Sequence, residues 1–537
     1  MPALRLDYLE LVLLILLVAV AVLALVAKRL GVAYPIMLVI GGVFLGLLPR
    51  VPHISMDPDV VFLVILPPLV FSAAFHTSWR DFRDNLIGIV MLAFGLVGFT
   101  IFGVAGAATL LIPGFPWKLG LVLGSVVAAT DAIAATATAK RLGLPRRITD
   151  LLEAESLVND GSGLVALRFT LAMVVTGVTP SVLTGTGTLL YLVFAALAVG
   201  LLAGVVVHQI QKLIAEPPVE ITISLITPYI AYLAAERLQC SGVLATLACG
   251  LYLGRRSSGF FSLHARIESS AVWRTLDFVL NGLVFLVLGL QLPSILANLE
   301  GTRISSVFLD GALISGVVIL LRLLWVYPGE WISWRIQRQV ARRESPRVSR
   351  KEVFLVGWAG MRGVLALAAA FSLPEKLGNG LPFPFRNLII FLTFCVIFAT
   401  LVLQGLSMPA LIRALGLSGR SVHIKNEELE ARKQMVCAAL DALQNLRVQY
   451  TGPDCEVLDH MEAYYKRRLA LDSDPAEEAE DSSRTKLEMQ RYVAQELRNV
   501  ERSTALELRD SNQIHDEVLR RLEYELDLLD ARFADSD

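Results

Sequence analysis

The sequence predicts an all-α, polytopic membrane protein with about 13 transmembrane helices and a helical cytoplasmic tail. Of its 537 residues, 55% are hydrophobic and 18% are charged. That composition is too apolar for a soluble protein and too charged for a helix bundle with no aqueous domain. The charges are sparse up to about Leu417 and frequent after it. We therefore predict a transmembrane domain over residues 1–417 and a cytoplasmic helical domain over residues 418–537.

Apolar runs near the ~20 residues that cross a bilayer recur along the first domain. The predicted spans cover residues 9–27, 31–48, 60–76, 86–112, 118–139, 150–174, 183–210, 219–236, 240–254, 268–293, 305–328, 352–373 and 387–414. Lysine and arginine concentrate in the connectors after odd-numbered spans, whereas connectors such as residues 113–117 are nearly uncharged. The positive-inside rule then predicts an N-terminus outside and a C-terminus in the cytoplasm.

Among the ionisable residues inside these apolar runs, three stand out, namely Asp131, Asp160 and Arg362. A charged side chain in the bilayer costs roughly 2.5–3.5 kcal/mol on insertion scales. Such a residue therefore usually faces a protein interior or a water-filled path, where it serves transport. We interpret the three together as signs of a transporter that trades a cation for a proton.

The sixth span carries four polar residues on two stripes of one helix. Glu155 and Asn159 are four residues apart and share a face, and so are Ser156 and Asp160 on a stripe turned by about 100°. One stripe can place a carboxylate and a hydroxyl toward an ion, and the other can place a carboxylate and an amide toward a counter-charge. The alternative is that these polar residues only form hydrogen bonds between packed helices, but such a contact does not need two carboxylates.

The fifth and twelfth spans are predicted to be interrupted. Alanine-rich flanks around Thr130 and Asp131 tolerate a break, which exposes backbone carbonyls suited to a hard cation. Asp131 could balance the positive end of a half-helix, or could simply be a buried, hydrogen-bonded carboxylate. Gly360 and Gly363 permit a second break around Arg362. Two crossing broken helices at corresponding places are typical of inverted repeats around a midplane site.

The buried guanidinium of Arg362 needs a carboxylate partner, and Glu155 is the first candidate. Arg322 is a second intramembrane cation, about a turn and a half before Pro328. Because the predicted span ends at residue 328, Arg322 could also extend toward the interface without a partner.

The predicted tail contains one amphipathic stripe, on which apolar residues recur every three or four positions. Its members are Ile514, Val518, Leu522, Leu526, Leu529 and Phe533. Packing within the tail and a regulatory or dimer contact are both open. Residues 472–483, rich in acidic side chains, are predicted to be a linker.

The polar motifs resemble the signature set of the NhaP-type monovalent cation:proton antiporters, the Asn-Asp branch of the cation:proton antiporter superfamily. The matching segments are Thr130-Asp131, Glu155-Ser-Leu-Val-Asn-Asp160 and Gly360-Met-Arg-Gly363. The likeness extends to Leu66-Pro-Pro68, to Arg322 with Trp325 and Pro328, and to a C-terminal segment at 516–528 that resembles the bacterial subgroup with a short cytoplasmic tail.

The resemblance implies a homodimer in which a mobile core moves against a dimerisation domain. It implies that Asp160 binds the cation or the proton, with Ser156 and Thr130 as further Na⁺ ligands and Asp131 in the same site. It also implies a stabilising network, whose members we take as Glu155, Asn159, Arg362 and Arg322.

The sequence departs from the family pattern at two places. Ala132 follows Asp131 where many relatives have proline, so this break must be held differently. The third span reads Phe71-Ser-Ala-Ala74 where relatives often place an acidic residue. Whether that span supplies a cation ligand is therefore open.

The predicted function is exchange of Na⁺ for H⁺ across the plasma membrane for pH and sodium homeostasis, with K⁺ or Li⁺ as the alternative cation. Exchange should be electroneutral and one-for-one, because an amide at Asn159 leaves Asp160 as the single exchangeable carboxylate of that pair.

An enzyme, such as an intramembrane aspartyl protease using Asp131 and Asp160, is disfavoured because Asn159 and Arg362 argue against a shared-proton dyad. A channel and a tail-driven sensor remain competing classes. The expected partners are the cation, the proton, the bilayer and a second copy of the chain; no cofactor and no nucleic acid is expected.

Overall fold

The computed structural model describes residues 3–48, 57–177, 182–214, 216–257, 260–299, 304–340, 348–377, 380–417 and 436–444, with a few single positions beyond. The chain divides into two compact units, Met1–Ser421 and Val422–Asp537. In the second unit, residues 436–444 are helical. The predicted amphipathic stripe at 514–533 and the linker at 472–483 lie outside the described residues.

The first unit is built from helices, and its described part contains a single isolated β-bridge, between Lys376 and Pro382. The helices of its N-terminal half are α1 (Ala3–Leu30), α2 (Tyr34–Gly46), α3 (Pro58–His76), α4 (Trp79–Asp84), α5 (Leu86–Leu111), α6 (Trp117–Ala128), α7 (Ile133–Arg141) and α8 (Arg146–Val175). The remaining helices are α9 (Val182–Gln211), α10 (Pro217–Arg237), α11 (Gly242–Arg256), α12 (Leu263–Leu290), α13 (Leu292–Ala297), α14 (Ile304–Val340), α15 (Arg350–Trp358), α16 (Val364–Phe371) and α17 (Arg386–Ala414).

Ten helical stretches of the described chain are long and apolar enough to cross a membrane. The other predicted spans coincide with α2, with α11 and with the pair α15 and α16. Helix therefore occupies every predicted span, and the all-α, multi-pass membrane fold is confirmed. The number 13 itself stays a prediction, because these three stretches are shorter than the ten.

The two predicted helix breaks are confirmed. Residues 129–132 separate α6 from α7, and residues 359–363 separate α15 from α16. Ala129 and Gly363 have extended backbones, which interrupt the helical hydrogen-bond ladder. The backbone N–H of Asp131 donates to the carbonyl of Met361 at 2.8 Å, so the two breaks lie against each other.

The predicted end of the eleventh span at residue 328 is wrong. Pro328 lies inside α14, which continues to Val340. Proline is tolerated within membrane helices when neighbouring groups satisfy the freed carbonyl. The longer helix places Arg322 at its middle, and its side chain is buried.

The broken helices form the centre of the first unit. The most apolar window of α6 and α7 is 89% buried, whereas that of α1 is 17% buried. α6 packs against α5, α8, α16 and α17, while α3, α9, α10 and α11 pack together beside them. Polar groups at the breaks are thus surrounded by helices on all sides, and this arrangement positions the site.

Candidate functional site

A cavity of about 380 Å³ reaches the break between α6 and α7. Its polar lining comes from that break and from α3, α8 and α12: Ser72, His76, Thr130, Asp131, Ser156, Asp160, Asp277 and Asn281. Lys140 and Glu153 also line it and form an ion pair at 2.7 Å, with 65% and 34% of their side chains exposed. This exposed pair marks the side on which the cavity meets solvent.

The two polar stripes of α8 point to different surroundings, as their spacing predicted. Ser156 and Asp160 line the cavity, whereas Glu155 and Asn159 are buried away from it, each 1% exposed. Within the described part of the chain, no hydrogen bond or ion pair holds the Asp160 carboxylate. That carboxylate is therefore available to a ligand that enters the cavity.

Arg322, and not Arg362, is the partner of Glu155. Its Nη1 and Nη2 donate to Oε1 at 2.5 Å and Oε2 at 2.9 Å, with both side chains almost fully buried. The expected Arg362–Glu155 pair and the alternative of an unpaired Arg322 near the interface are both wrong. A span that ends at Pro328 would place Arg322 near the end of its helix. The longer α14 instead places Arg322 in the middle of the helix, where its side chain reaches Glu155.

Arg362 binds backbone carbonyls instead of a carboxylate. Its Nε donates to the carbonyl of Val127 at 2.6 Å and its Nη1 to that of Gly360 at 2.9 Å. Val127 lies in the last turn of α6, where carbonyls lack intrahelical partners and carry partial negative charge. The guanidinium thus neutralises the broken end of α6.

Thr130 connects the first break to α8. Its hydroxyl donates to Oε1 of Glu155 at 3.1 Å and accepts a short hydrogen bond from the amide of Asn159. Its carbonyl accepts from the Ser156 hydroxyl at 2.9 Å. Glu155 and Asn159 therefore hold the Thr130 side chain, and Ser156 holds its backbone carbonyl, at the point where α6 ends.

Ala132, at the position where many relatives have proline, contributes a backbone hydrogen bond to this break. The backbone N–H of Ala132, which a proline would lack, donates to the Ser156 hydroxyl at 3.3 Å. One residue earlier, the Asp131 carboxylate accepts from the N–H of Ile133 at 2.8 Å. The expectation that a backbone donor at the break holds Asp131 is confirmed, and the carboxylate lies at the positive end of α7.

Two glycines of the second break allow side chains from elsewhere to approach the backbone. A Cβ atom added at Gly363 would lie 2.5 Å from Oδ2 of Asp131. A Cβ atom added at Gly360 would overlap the side chain of Arg322. The Gly360-Met-Arg362-Gly363 motif is thus explained by packing: each glycine makes room for one charged group.

The sequence analysis missed Asp277 on α12. The hydroxyl of Ser72 on α3 donates to Oδ2 of Asp277 at 2.5 Å, and both residues line the cavity. Asp277 falls inside the predicted span 268–293, so the signal used for Asp131 and Asp160 would have found it. The third span thus presents a hydroxyl held by a carboxylate of another helix.

We predict that Arg322→Ala destabilises the protein by roughly 3–5 kcal/mol, because it leaves the buried Glu155 carboxylate uncompensated. Adding Glu155→Gln to Arg322→Ala should restore part of the loss, since the unpaired charge is then removed. Thermal unfolding of the purified variants measures both effects. The control is Arg168→Ala in the exposed Arg168–Glu236 pair, expected to cost ~1 kcal/mol or less. Strictly additive effects of the two substitutions would contradict the assigned pair.

We also predict that Gly363→Ala lowers both the Tm and the exchange rate, because the new methyl group displaces the Asp131 carboxylate. Gly316→Ala is the matched control, since a Cβ at that helical position meets no atom within 4 Å. Alanine has a higher helix propensity than glycine, so this control should match or exceed the Tm of the unmodified protein. Equal behaviour of the two variants would show that the close approach at Gly363 is unimportant.

Comparison with known proteins identifies the family. The family model described as "Sodium/hydrogen exchanger, transmembrane" matches residues 13–414. An uncharacterised Na⁺/H⁺ exchanger of Mycobacterium tuberculosis is 34% identical over 529 residues, covering 96% of this chain and 95% of that protein. The sodium, potassium, lithium and rubidium/H⁺ antiporter of Bacillus subtilis is 32% identical over 421 residues, covering 75% of this chain and 61% of that protein.

A solved structure shows the same fold. The sodium proton antiporter MjNhaP1 of Methanocaldococcus jannaschii superposes with a TM-score of 0.60 at 20% identity, over 77% of this chain and 99% of that one. The resemblance inferred from the motifs is thereby confirmed. The family match over residues 13–414 and the 34% identical relative show that the chain belongs to the sodium/hydrogen exchanger family and is a secondary transporter, not an enzyme.

Proposed function

We propose that the chain exchanges Na⁺ for H⁺ at Asp160, where the two ions compete for one carboxylate. The observation that carries the proposal is the difference between three neighbouring acidic residues. Glu155 is committed to Arg322 and Asp131 accepts from a backbone N–H, whereas Asp160 faces the cavity with no partner among the described residues. Competition at one site that opens alternately to each side is sufficient to couple the two fluxes.

Oxygen atoms around Asp160 provide a ligand set for a small hard cation. Ser156 lies one helical turn before Asp160 on the same stripe, and Thr130 lies at the break across from it. The Ser156 hydroxyl already bonds to the break, and the Thr130 hydroxyl bonds to Glu155 and Asn159. The Ser156 oxygen and the backbone carbonyls of residues 129–132, that of Thr130 among them, are therefore the natural additional ligands. We propose Asp160, Ser156 and Thr130 as the Na⁺ ligands, with Asp131 shaping the site.

The second part of the proposal is a stabilising role for Glu155, Asn159, Arg322 and Arg362. All four are buried, and each makes at least one hydrogen bond to another buried polar side chain or to a backbone carbonyl near a helix break. None of the four lines the cavity. This supports separate roles, in which these four residues stabilise the helix breaks and Asp160 binds the ions.

The cation is proposed to be Na⁺, with K⁺ or Li⁺ as the alternative. Relatives named as Na⁺/H⁺ exchangers favour Na⁺. The Bacillus subtilis relative, whose name covers sodium, potassium, lithium and rubidium, keeps the alternative open. Flux measured separately with each cation decides between them.

We further propose a homodimer in the plasma membrane, with the N-terminus outside and residues 418–537 in the cytoplasm as a helical domain. Basic connectors after odd-numbered spans support this orientation. The largely exposed apolar surface of α1 supports burial against lipid or a second copy. The two helix breaks, one in each half, support inverted repeats.

We predict that Asp160→Asn abolishes Na⁺/H⁺ exchange while the protein stays folded, since the amide keeps the shape but cannot alternate between proton and cation. Proteoliposomes with a pH-sensitive dye measure the exchange, and thermal unfolding checks the fold. Asp59→Asn, at an exposed aspartate outside the cavity, is the control and should exchange normally. Exchange by Asp160→Asn near the unmodified rate would refute the assignment.

We predict one-for-one, electroneutral exchange. Because Glu155 is ion-paired with Arg322 and Asn159 is an amide, one carboxylate, that of Asp160, alternates between one proton and one monovalent cation. The membrane potential then does no net work on the cycle. The test is Na⁺/H⁺ exchange in proteoliposomes under a K⁺ potential set with valinomycin, once K⁺ has been shown not to be a substrate. A rate that follows the potential, or a sustained current on a solid-supported membrane, would contradict the scheme.

A further inference from the structure

Four helices each present a pair of polar residues, four positions apart, to the same cavity. They are Ser72 and His76 on α3, Thr136 and Lys140 on α7, Ser156 and Asp160 on α8, and Asp277 and Asn281 on α12. Residues four apart share one helix face, so each pair forms a short polar stripe. The α8 stripe belongs to the exchange site described above. The stripes of α3 and α12 are joined to each other by the Ser72–Asp277 hydrogen bond and have no assigned role.

Of the two carboxylate oxygens of Asp277, one has a hydrogen-bond partner and the other has none among the described residues. Oδ2 accepts from the Ser72 hydroxyl, whereas Oδ1 is buried and has no hydrogen-bond partner within the described residues. A buried carboxylate oxygen without a donor or a cation is unfavourable, and in native proteins such an atom is usually satisfied by water or by an ion. The site is built on three sides by oxygen- and nitrogen-bearing side chains, so a ligand in the cavity can supply what Oδ1 lacks.

The chemistry around Asp277 favours a cation over another ligand. The Ser72 proton is directed at the carboxylate, which leaves the hydroxyl oxygen, Oδ1 and the neighbouring Asn281 amide available as acceptors. Asp131, Asp160 and Asp277 all line this cavity. Three carboxyl groups facing one cavity attract a monovalent cation and repel anions.

We propose that Asp277, with Ser72 and Asn281, forms a second binding position for the transported monovalent cation, on the path between the exposed Lys140–Glu153 pair and Asp160. The proposal rests on the proposed function, because it assigns a step before the ion reaches Asp160. A cation at Asp277 neutralises the orphan oxygen and raises the local concentration of substrate at the exchange site. The exchange ratio is still set at Asp160, since the cation leaves Asp277 to reach it.

Steady-state exchange in proteoliposomes separates binding from turnover. Asp277→Asn keeps an oxygen that accepts from Ser72 but removes the charge, so the apparent KM for Na⁺ should rise about tenfold. The maximal rate should stay within about twofold, because a substitution that removes only binding raises KM alone. Asp277→Glu should recover much of the affinity. Asp310→Asn, at a half-buried aspartate of α14 that lines a different cavity, is the matched control and should leave KM unchanged.

A binding measurement keeps this inference separate from the exchange assignment. In purified Asp160→Asn protein, Na⁺ should still raise the Tm, because a ligand that binds the folded state stabilises it. The rise should disappear in the Asp160→Asn/Asp277→Asn protein, with choline chloride as the ionic-strength control. Asn281→Ala provides a second variant with a smaller expected increase in KM, should Asp277→Asn fail to fold.

The outcomes are distinct. An unchanged KM in Asp277→Asn, or loss of maximal rate with KM unchanged, would overturn the cation assignment; the second result would mean a role in proton transfer. A Na⁺-dependent rise in Tm that is equal in the single and double variants would overturn it as well. Exchange that survives Asp160→Asn would instead refute the proposed function, and the Tm measurements would still decide on Asp277.

Discussion

Two interrupted helices at the centre of the first unit impose the main electrostatic constraint on this protein. A break inside an apolar layer leaves carbonyls at one helix end and N–H groups at the other without partners, with partial charges of opposite sign. Arg362 binds a terminal carbonyl of α6, and Arg322 donates to the carbonyl of Val356 in the last turn of α15 at 3.1 Å. Asp131 lies at the start of α7 and against Gly363, where α16 begins. Each broken end therefore has a neighbouring group of the opposite charge.

This compensation restricts which carboxylates can take part in transport. Two arginines near the C-terminal helix ends carry more positive charge than the helix dipoles offset, and Glu155 supplies the balance by pairing with Arg322. Glu155 is thereby committed to the ion pair, because its removal would leave a buried guanidinium unpaired. Asp160 is five residues further along the same helix, and the 100° step per residue turns it out of this network and into the cavity. The helix geometry thus separates the ion-paired carboxylate of Glu155 from the carboxylate of Asp160, which we propose exchanges the ions.

The sequence was informative about local features and less so about long-range ones. The breaks were predictable because alanine and glycine flank the polar residues, and the two stripes of α8 followed from spacing. The partner of Glu155 could not be predicted, because it depends on the length of α14 beyond Pro328. A proline in a membrane helix does not specify whether the helix ends there. Asp277 was overlooked although its position in an apolar run carried the same information as that of Asp160. The use of the Ala132 N–H could not be predicted, since it requires the placement of Ser156 from another helix.

The size of the cavity indicates where cations can be distinguished. At about 30 Å³ for each water molecule in the liquid, a cavity of about 380 Å³ has room for on the order of ten waters. A monovalent cation beside Asp277 can therefore keep most of its hydration shell, and a hydrated ion is held by charge rather than by size. The Ser156 hydroxyl lies at the break, where it bonds to the Thr130 carbonyl, and Asp160 lies one helical turn further along α8. Because Arg362, Asp131 and the two glycines fix the geometry of that break, the residues that hold the broken helices in place also shape the proposed cation site.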